Sequence, residues 1–387
     1  MMIPWQQLFQ ILEFIVVLSF LVVIHELGHF FVAKFFGVRV EEFGVGYPPL
    51  ARRLFTWAGT VFTLNWIPFG GFVRLAGEED QVEQGADHAP RRDGSVSLDK
   101  GLFYAQPLLP KLSIIVAGAA VNFLFGVAAF SIYFSVLGIP TAVPRIATIA
   151  PNSPAAAAQI PASVTVLGFV EGSERVMLKT VPQVSRYIKE HAGQQLTVLT
   201  TGHCDADGCA GEEQQFKVYV RRPDEIPEGQ GAMGIEFASL IEPTFYPWYE
   251  MPLRGASYGV QQALYVAQYI IVSLGDVLRR SIRGVFPQEL TGLVGIYDQA
   301  DKAGIFTGGA WEILNFAGLL SVNLAIMNLL PIPVLDGGRA VFLCLEKVIG
   351  KRRVHFLENY ANYVAIAFLV FLMIFVTVKD IRQLIVR

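Results

Sequence analysis

The chain has 387 residues, of which 53% are hydrophobic and only 16% are charged, with a formal net charge of -3. Soluble domains carry about a quarter charged residues, so this composition excludes an ordinary soluble protein and indicates one embedded in a membrane. The nearly neutral charge also argues against nucleic-acid binding, for which a basic surface is expected.

Four apolar stretches are long enough to cross the ~30 Å hydrocarbon layer as helices. They cover residues 14–36, 112–137, 313–330 and 360–378. We expect the first to be a retained span and not a secretory signal peptide, because no basic residue precedes it and no small-residue cleavage site follows it. The sequence therefore predicts a polytopic α-helical membrane protein with four transmembrane helices.

Residues 25–29, inside the first span, read HELGH, which is an HExxH motif. On a helix, His25 and His29 lie on one face, so both imidazoles can bind one Zn²⁺. Glu26 lies on an adjacent face, where it can act as general base toward a water activated by the metal. The alternative is that both histidines are merely buried in the core, but ionisable residues inside a span are costly and indicate function.

A catalytic zinc needs a third protein ligand, and the best candidate is Asp336, just after the third span. Two prolines and the pair Gly337-Gly338 flank it, which predicts a helix end and a tight turn that let the carboxylate project into the bundle. An ordinary cap after a membrane helix is the alternative. Asn328 precedes the prolines and can fix a substrate backbone or an oxyanion, or merely end the helix.

The segment between the first two spans contains a predicted β-hairpin. Residues 59–75 alternate in hydrophobicity and include turn residues at 68–71, where we expect the hairpin to turn. The polar run 77–100 is predicted to be a cytoplasmic loop. In the second span, Gly118, Asn122 and Gly126 recur every four residues, which indicates a face for close helix packing.

Residues 140–237 contain short β-branched runs and one helical segment, at residues 181–193, so they predict a small α+β domain. Residues 258–282 are apolar on one face but carry several polar side chains, which favours a helix in the membrane interface over a fifth span. In the α+β domain, Cys204 and Cys209 flank a short polar turn. A local disulfide and two free thiols remain equal alternatives.

Basic residues beside the spans predict the orientation. The loop between the third and fourth spans carries five basic residues, so that side should be cytoplasmic: Arg339, Lys347, Lys351, Arg352 and Arg353. The α+β domain and both termini would then be extracytoplasmic. A fifth crossing at residues 258–282 would deliver Asp336 to the face opposite the histidines, so a real metal site requires that segment not to cross.

The motifs together resemble those of the site-2 protease family of intramembrane zinc metalloproteases, within it the bacterial regulator of sigma-E protease group. The resemblance rests on HELGH at 25–29, FGVGYPP at 43–49, FGGFVRLAGE at 69–78, AGAAVNF at 117–123, LTGLVGI at 290–296 and NLLPIPVLDGG at 328–338. HELGH and LDGG in separate spans are highly specific. The other stretches are individually weak but occur in the family's order.

The resemblance implies one catalytic zinc near the cytoplasmic side of a cell membrane, held by His25, His29 and Asp336. It implies cleavage of single-span membrane proteins already trimmed by another protease, such as an anti-sigma factor, or of signal-peptide remnants. Asn328 matches a substrate-orienting asparagine, and residues 59–75 match a membrane-associated hairpin that holds the substrate extended. On this basis Gly70, Gly71 and Asn122 are expected to help position the substrate.

The resemblance also implies the domain organisation. Residues 1–139 would form the N-terminal membrane core, 140–240 a single PDZ-like domain, 241–300 amphipathic interfacial linker helices, and 301–387 the C-terminal membrane core. The PDZ-like domain departs from the family pattern after Gln159, so peptide binding and a steric filter against bulky ectodomains are both plausible roles.

Two other classes of function compete with a protease. A catalytically silent membrane scaffold would need none of the HExxH and Asp336 side chains. A metal transporter would line a path with several ligands, yet the other four histidines lie outside the predicted spans.

Overall fold

The computed structural model describes residues 5–78, 101–172, 174–201, 204–205, 208–209, 213–227, 229–238, 240–284 and 292–385. These residues belong to two compact units. Unit 1 is formed by Met1–Phe134 with Gly255–Arg387, and unit 2 by Ser135–Arg254. Most of the predicted cytoplasmic loop, residues 79–100, lies outside the described residues.

The described helices, in chain order, are α1 (Trp5–Phe35), α2 (Leu108–Leu137), α3 (Pro154–Ala157), α4 (Val181–Glu190), α5 (Met251–Ile282), α6 (Leu293–Lys302), α7 (Ala310–Asn328), α8 (Asp336–Ile349) and α9 (Lys351–Ile385). Within the described chain, four of them are long and apolar enough to cross a membrane: α1, α2, α7 and the Lys351–Asp380 part of α9. The prediction of four spans is confirmed. α5 has 32 residues but is not among these four.

The described strands are β1 (Val40–Trp57), β2 (Thr60–Leu75), β3 (Ile139–Ala142), β4 (Ile146–Ile149), β5 (Val166–Glu171), β6 (Glu174–Met177), β7 (Gln195–Thr200), β8 (Cys204–Asp205), β9 (Gly208–Cys209), β10 (Gln214–Tyr219), β11 (Ile235–Phe237) and β12 (Ile241–Thr244). Only β1 and β2 belong to unit 1, where they lie between the first two membrane helices in the chain.

Small residues let the membrane helices of unit 1 approach closely. A Cβ added at Gly126 of α2 would lie 2.4 Å from Val322 Cγ2 and 3.1 Å from the Gly318 carbonyl oxygen, both on α7. A Cβ at Gly28 of α1 would lie 2.5 Å from the carbonyl oxygen of Ala117 on α2. The predicted packing face of α2 is therefore confirmed at Gly126, and it holds α2 against α7.

The strands predicted within residues 59–75 are present and the chain reverses between them as predicted, but residues 40–45 lie between these two strands, which therefore do not pair with each other. β1 and β2 pair antiparallel and turn at Ala58 and Gly59, which have φ values of 48° and 77°. Such a two-residue turn requires positive φ at both positions. The chain also reverses between residues 64 and 71, because residues 61–64 run in the same direction as residues 42–45 and residues 71–74 run against them.

One segment of β1 is central in this small sheet. Residues 40–45 face residues 71–75 on one side and residues 61–64 on the other, so that Phe43 is opposite both Val73 and Phe62. Phe43 and Leu75 are buried in a cluster with Phe30 of α1 and Ile114 of α2. Residues 71–75 therefore form an edge of the sheet, held at a fixed place beside α1 and α2.

Unit 2 is built around a four-stranded antiparallel sheet in the order β10-β7-β5-β6. The pairs β11-β4 and β12-β3 complete its described strands apart from the β8-β9 ladder. Its core contains Phe169, Val184 and Val198, each no more than 1% exposed. The strands and the helix predicted for residues 140–237 are present, and this β-containing unit confirms the predicted fold class.

The two cysteines of unit 2 lie on the short strands β8 and β9. Cys204 is directly opposite Cys209 in this antiparallel ladder. Their side chains lie outside the described residues, so the disulfide and the free thiols remain alternatives.

Candidate metal centre and catalytic cavity

Three candidate ligands, far apart in sequence, meet in unit 1. His25 Nε2 lies 3.0 Å from Asp336 Oδ2, and His29 Nε2 lies 3.4 Å from the same oxygen. The two Nε2 atoms are 3.1 Å apart. The helical spacing of α1 brings the histidines together, and the chain between α7 and α8 brings the carboxylate to them.

The placement of Asp336 requires the two glycines that follow it. A Cβ at Gly337 would lie 2.3 Å from the carbonyl oxygens of Leu329 and Leu330, and one at Gly338 would lie 2.1 Å from that of Ile332. These distances are too short for any side chain, so the start of α8 packs directly on the backbone that follows α7. Asp336 is consequently held as the first residue of α8.

His29 is oriented by the backbone of α2. Its Nδ1 lies 2.7 Å from the carbonyl oxygen of Ile114. A carbonyl only accepts, so Nδ1 carries the proton and Nε2 presents its lone pair toward His25 and Asp336. This is the usual way in which a metal-binding imidazole is held.

The space beside the three ligand atoms suits a small metal ion. Two nitrogens and one carboxylate oxygen are a common donor set for zinc, and donors around a tetrahedral zinc lie about 3.3 Å apart. The observed separations of 3.0 to 3.4 Å match this spacing. A Cβ at Gly118 of α2 would lie 2.5 Å from His29 Nε2 and 2.6 Å from His25 Nε2. The residues therefore fit a zinc ion, and Gly118 keeps room for it.

Glu26 lies in a cavity of about 220 Å³ together with His25, His29 and Asp336. Residues 71–73 of β2 also line this cavity. A Cβ at Gly71 would be only 3.5 Å from Glu26 Cγ, so the sheet edge and the proposed base are neighbours. The cavity thus brings together the three candidate metal ligands, the carboxylate of Glu26 and the extended backbone edge of β2.

Sequence reasoning missed three residues at the metal centre and its cavity. Gly118 was predicted only to pack, although it adjoins both Nε2 atoms. Arg339 and Glu78 both line the cavity and form an ion pair that joins the start of α8 to the end of β2. Burial lowers the pKa of the Arg339 guanidinium, but Glu78, Asp336 and Glu358 together more than offset this and leave that pKa raised. The FGGFVRLAGE and LDGGR stretches carried these residues, but no local pattern signals their pairing.

The other predicted site residues lie at different places. Gly70 has a φ of 84°, and a Cβ there would lie 2.8 Å from the ring of Tyr47, which lines the cavity. Asn328 ends α7 and is absent from the described cavity lining, so its substrate contact stays a prediction. Asn122 is 0% exposed and faces His25 from α2, an environment that does not favour the predicted substrate contact.

A second cavity of about 710 Å³ adjoins the first and shares Tyr47, Phe72, Val73, Glu78 and Arg339 with it. Side chains from α8 and α9 complete its lining, among them Leu343, Glu346 and Glu358. The two cavities together border the same edge of β2.

Comparison with known proteins decides the family. The model of Peptidase family M50 matches residues 13–372, which include all the residues of the site. The chain belongs to peptidase family M50. This match confirms the resemblance to site-2 proteases that the motifs indicated.

Named relatives agree with the M50 assignment over nearly their whole length. The zinc metalloprotease RasP of Bacillus licheniformis is 26% identical over 97% of this chain and 99% of its own. The regulator of sigma-W protease RasP of Bacillus subtilis is 25% identical, with 97% and 98% covered. RasP of Geobacillus kaustophilus is 27% identical, with 96% and 98% covered. This M50 protein is therefore a multi-pass intramembrane zinc metalloprotease.

Proposed function

We propose that this M50 protease cleaves single-span membrane proteins within their transmembrane segments, with Glu26 as general base and with His25, His29 and Asp336 as zinc ligands. The observation that carries the proposal is the cavity beside α1, in which Glu26 adjoins the three converging ligand atoms. A site built on a membrane-spanning helix is suited to a peptide bond that lies at membrane depth.

Zinc, when bound, polarises the scissile carbonyl and makes water a better nucleophile near neutral pH. Glu26 takes the proton from the attacking water and returns it to the leaving amine. The backbone of Ile114 fixes the His29 ring, and the close packing of Gly337 and Gly338 on the backbone that follows α7 fixes Asp336. Arg339, held by Glu78, faces the same cavity and keeps the edge of β2 close to α8.

A substrate helix must unwind before its peptide bonds become accessible, because helical amides are already hydrogen-bonded within the segment. Residues 71–75 form a sheet edge that borders both cavities, and no other described strand pairs with its far side. Addition of the substrate as a further strand would hold it extended beside Glu26. Gly70 and Gly71 suit this role because side chains there would meet Tyr47 and Glu26.

The substrates we propose are membrane proteins whose outer domain another protease has already removed, including an anti-sigma factor, and signal-peptide remnants. The Bacillus subtilis relative is named a regulator of sigma-W protease, and this name supports an anti-sigma factor as a substrate. Unit 2, with its single α+β core, would act as a filter against bulky outer domains or as a peptide-binding PDZ-like domain.

We further propose that the metal site lies near the cytoplasmic face. Unit 2, the start of α1 and the end of α9 would then lie on the extracytoplasmic side. Convergence of His25 and His29 of α1 with Asp336, which follows the end of α7, supports this, since α1 and α7 must then run in the same direction. Because α2 already supplies the one crossing needed between α1 and α7 in the chain, α5 would lie in the membrane interface and would not cross. Basic residues in α8 and at the start of α9 favour the cytoplasmic side for that loop.

The decisive experiment is cleavage of a trimmed single-span substrate in liposomes, comparing the native chain with Glu26→Gln and measuring zinc in both. We expect Glu26→Gln to retain zinc and to lose activity by at least about 100-fold, as expected for loss of a general base. Glu190→Gln, at the exposed end of α4, is the matched control and should cleave normally. Equal cleavage by Glu26→Gln would refute the assigned role.

A further inference from the structure

Asn122 of α2 is a fully buried amide directly behind the candidate ligand His25. Its Nδ2 lies 3.3 Å from His25 Nδ1, on the side of the ring away from Asp336. Its Oδ1 is buried and has no hydrogen-bond partner among the described residues. An orphaned amide oxygen at 0% exposure is costly, which calls for an explanation.

The chemistry of the imidazole supplies one. To bind a metal through Nε2, a neutral His25 must carry its proton on Nδ1, and that proton needs an acceptor. The amide oxygen and nitrogen of an asparagine have nearly the same shape, so rotation by about 180° exchanges them without further movement. Rotated in this way, Asn122 Oδ1 accepts from His25 Nδ1–H and is no longer unpaired.

The position of Asn122 is fixed independently of its side chain. Its backbone carbonyl oxygen accepts a hydrogen bond of 2.8 Å from Ser321 Oγ on α7, and both residues are fully buried. One turn away on the same helix, Gly118 adjoins the two Nε2 atoms. Helix α2 thus approaches the metal centre with a small residue at the ligand atoms and an amide behind one ring.

We propose that Asn122 is a positioning residue for the metal centre: its amide oxygen holds His25 in the tautomer and ring orientation that bind zinc. In this role Asn122 matches the Ile114 carbonyl, which holds His29. The inference rests on His25 being a zinc ligand, as proposed above. It replaces the predicted substrate contact of Asn122 with a contact to the protein's own ligand.

The test measures zinc affinity by competition with a chelator, in full-length protein in detergent, and needs no substrate. Asn122→Ala should weaken zinc binding about 10- to 100-fold, the usual effect of removing the partner of a ligating histidine. Asn122→Asp offers a carboxylate oxygen to the same Nδ1–H and should bind zinc within about threefold of the native affinity. The cobalt-substituted Asn122→Ala protein should also show an altered absorption spectrum, because the His25 ring is no longer held.

Two further variants separate the possible failures. Ser321→Ala removes the bond to the Asn122 backbone but leaves the amide, so we expect it to weaken zinc binding much less than Asn122→Ala does. The inference is overturned if Asn122→Ala binds zinc as tightly as the native chain, if Asn122→Asp is no better than Asn122→Ala, or if Ser321→Ala weakens zinc binding equally. If His25→Ala retains native affinity, the zinc-site assignment itself fails.

Discussion

The two units of this protease differ in what they bury besides an apolar core. Unit 2 buries an apolar core, with Phe169, Val184 and Val198 almost fully enclosed between its sheet and helix α4. Unit 1 buries polar groups among apolar helices, at the point where His25 and Asn122 are at most 6% exposed. Buried polar groups without partners are costly, so the polar cluster in unit 1 is explained by its function, whereas the core of unit 2 needs only packing.

Two helical glycines within unit 1 have contrasting surroundings. Gly118 in α2 faces the two Nε2 atoms, whereas Gly275 in α5 has nothing within 4 Å of its added Cβ. Both glycines lie inside helices, where alanine is otherwise preferred. The same substitution should therefore have opposite effects at the two positions.

The largest effect is expected from Gly118→Ala. The new methyl group would lie 2.5 to 2.6 Å from both Nε2 atoms. We expect zinc affinity to fall by at least about tenfold, and cleavage with it. Gly275→Ala should keep zinc and activity and stabilise α5 by up to about 1 kcal/mol. Normal zinc binding in Gly118→Ala would show that the metal does not occupy this space.

A core substitution in unit 2 should leave the metal centre intact. Phe169 is 1% exposed, so Phe169→Ala creates a cavity and should destabilise unit 2 by about 3–5 kcal/mol. Hydrogen exchange of β5 and β7 would measure the loss, and zinc content should stay native. Substrate selection, but not zinc binding, is expected to change. Loss of zinc in this variant would contradict the separation of the two functions.

A smaller effect is expected at the ion pair between Glu78 and Arg339. Both side chains are partly buried, with 18% and 37% exposed. Glu78→Gln should lower the free energy of unfolding by about 1–3 kcal/mol, because the guanidinium loses a charged hydrogen-bond partner. Cleavage should fall while zinc is retained, since β2 is no longer tied to α8.

A double-mutant cycle checks this interpretation. Glu78→Gln combined with Arg339→Gln should cost less than the sum of the single changes, with a coupling of about 1 kcal/mol. The exposed pair Asp276 and Arg280 on α5 is a matched control whose removal should change stability by less than about 0.5 kcal/mol. Strict additivity at Glu78 and Arg339 would show that the pair does not stabilise the site.

Local chemistry made part of the site predictable. His25 and His29 converge because any helix places residues i and i+4 on one face. The position of Asp336 just after a helix end was predictable from its prolines, but Gly337 and Gly338 lie inside α8 and serve close packing instead of the predicted tight turn. The reversal at residues 68–71 was predictable from its turn residues, but the place of residues 40–45 between the two arms was not, because strand order depends on contacts that no local pattern records.

The sequence by itself determined the four spans, the HExxH helix and the helix end before Asp336, because hydropathy, helical periodicity and backbone chemistry act over a few residues. Only the tertiary structure decided that Glu78 pairs with Arg339, 261 residues further along the chain, that Gly118 makes room beside both histidines, and that Asn122 lies behind His25. These relations depend on how helices pack against each other, and packing is set by the shape of the whole bundle and not by any one segment.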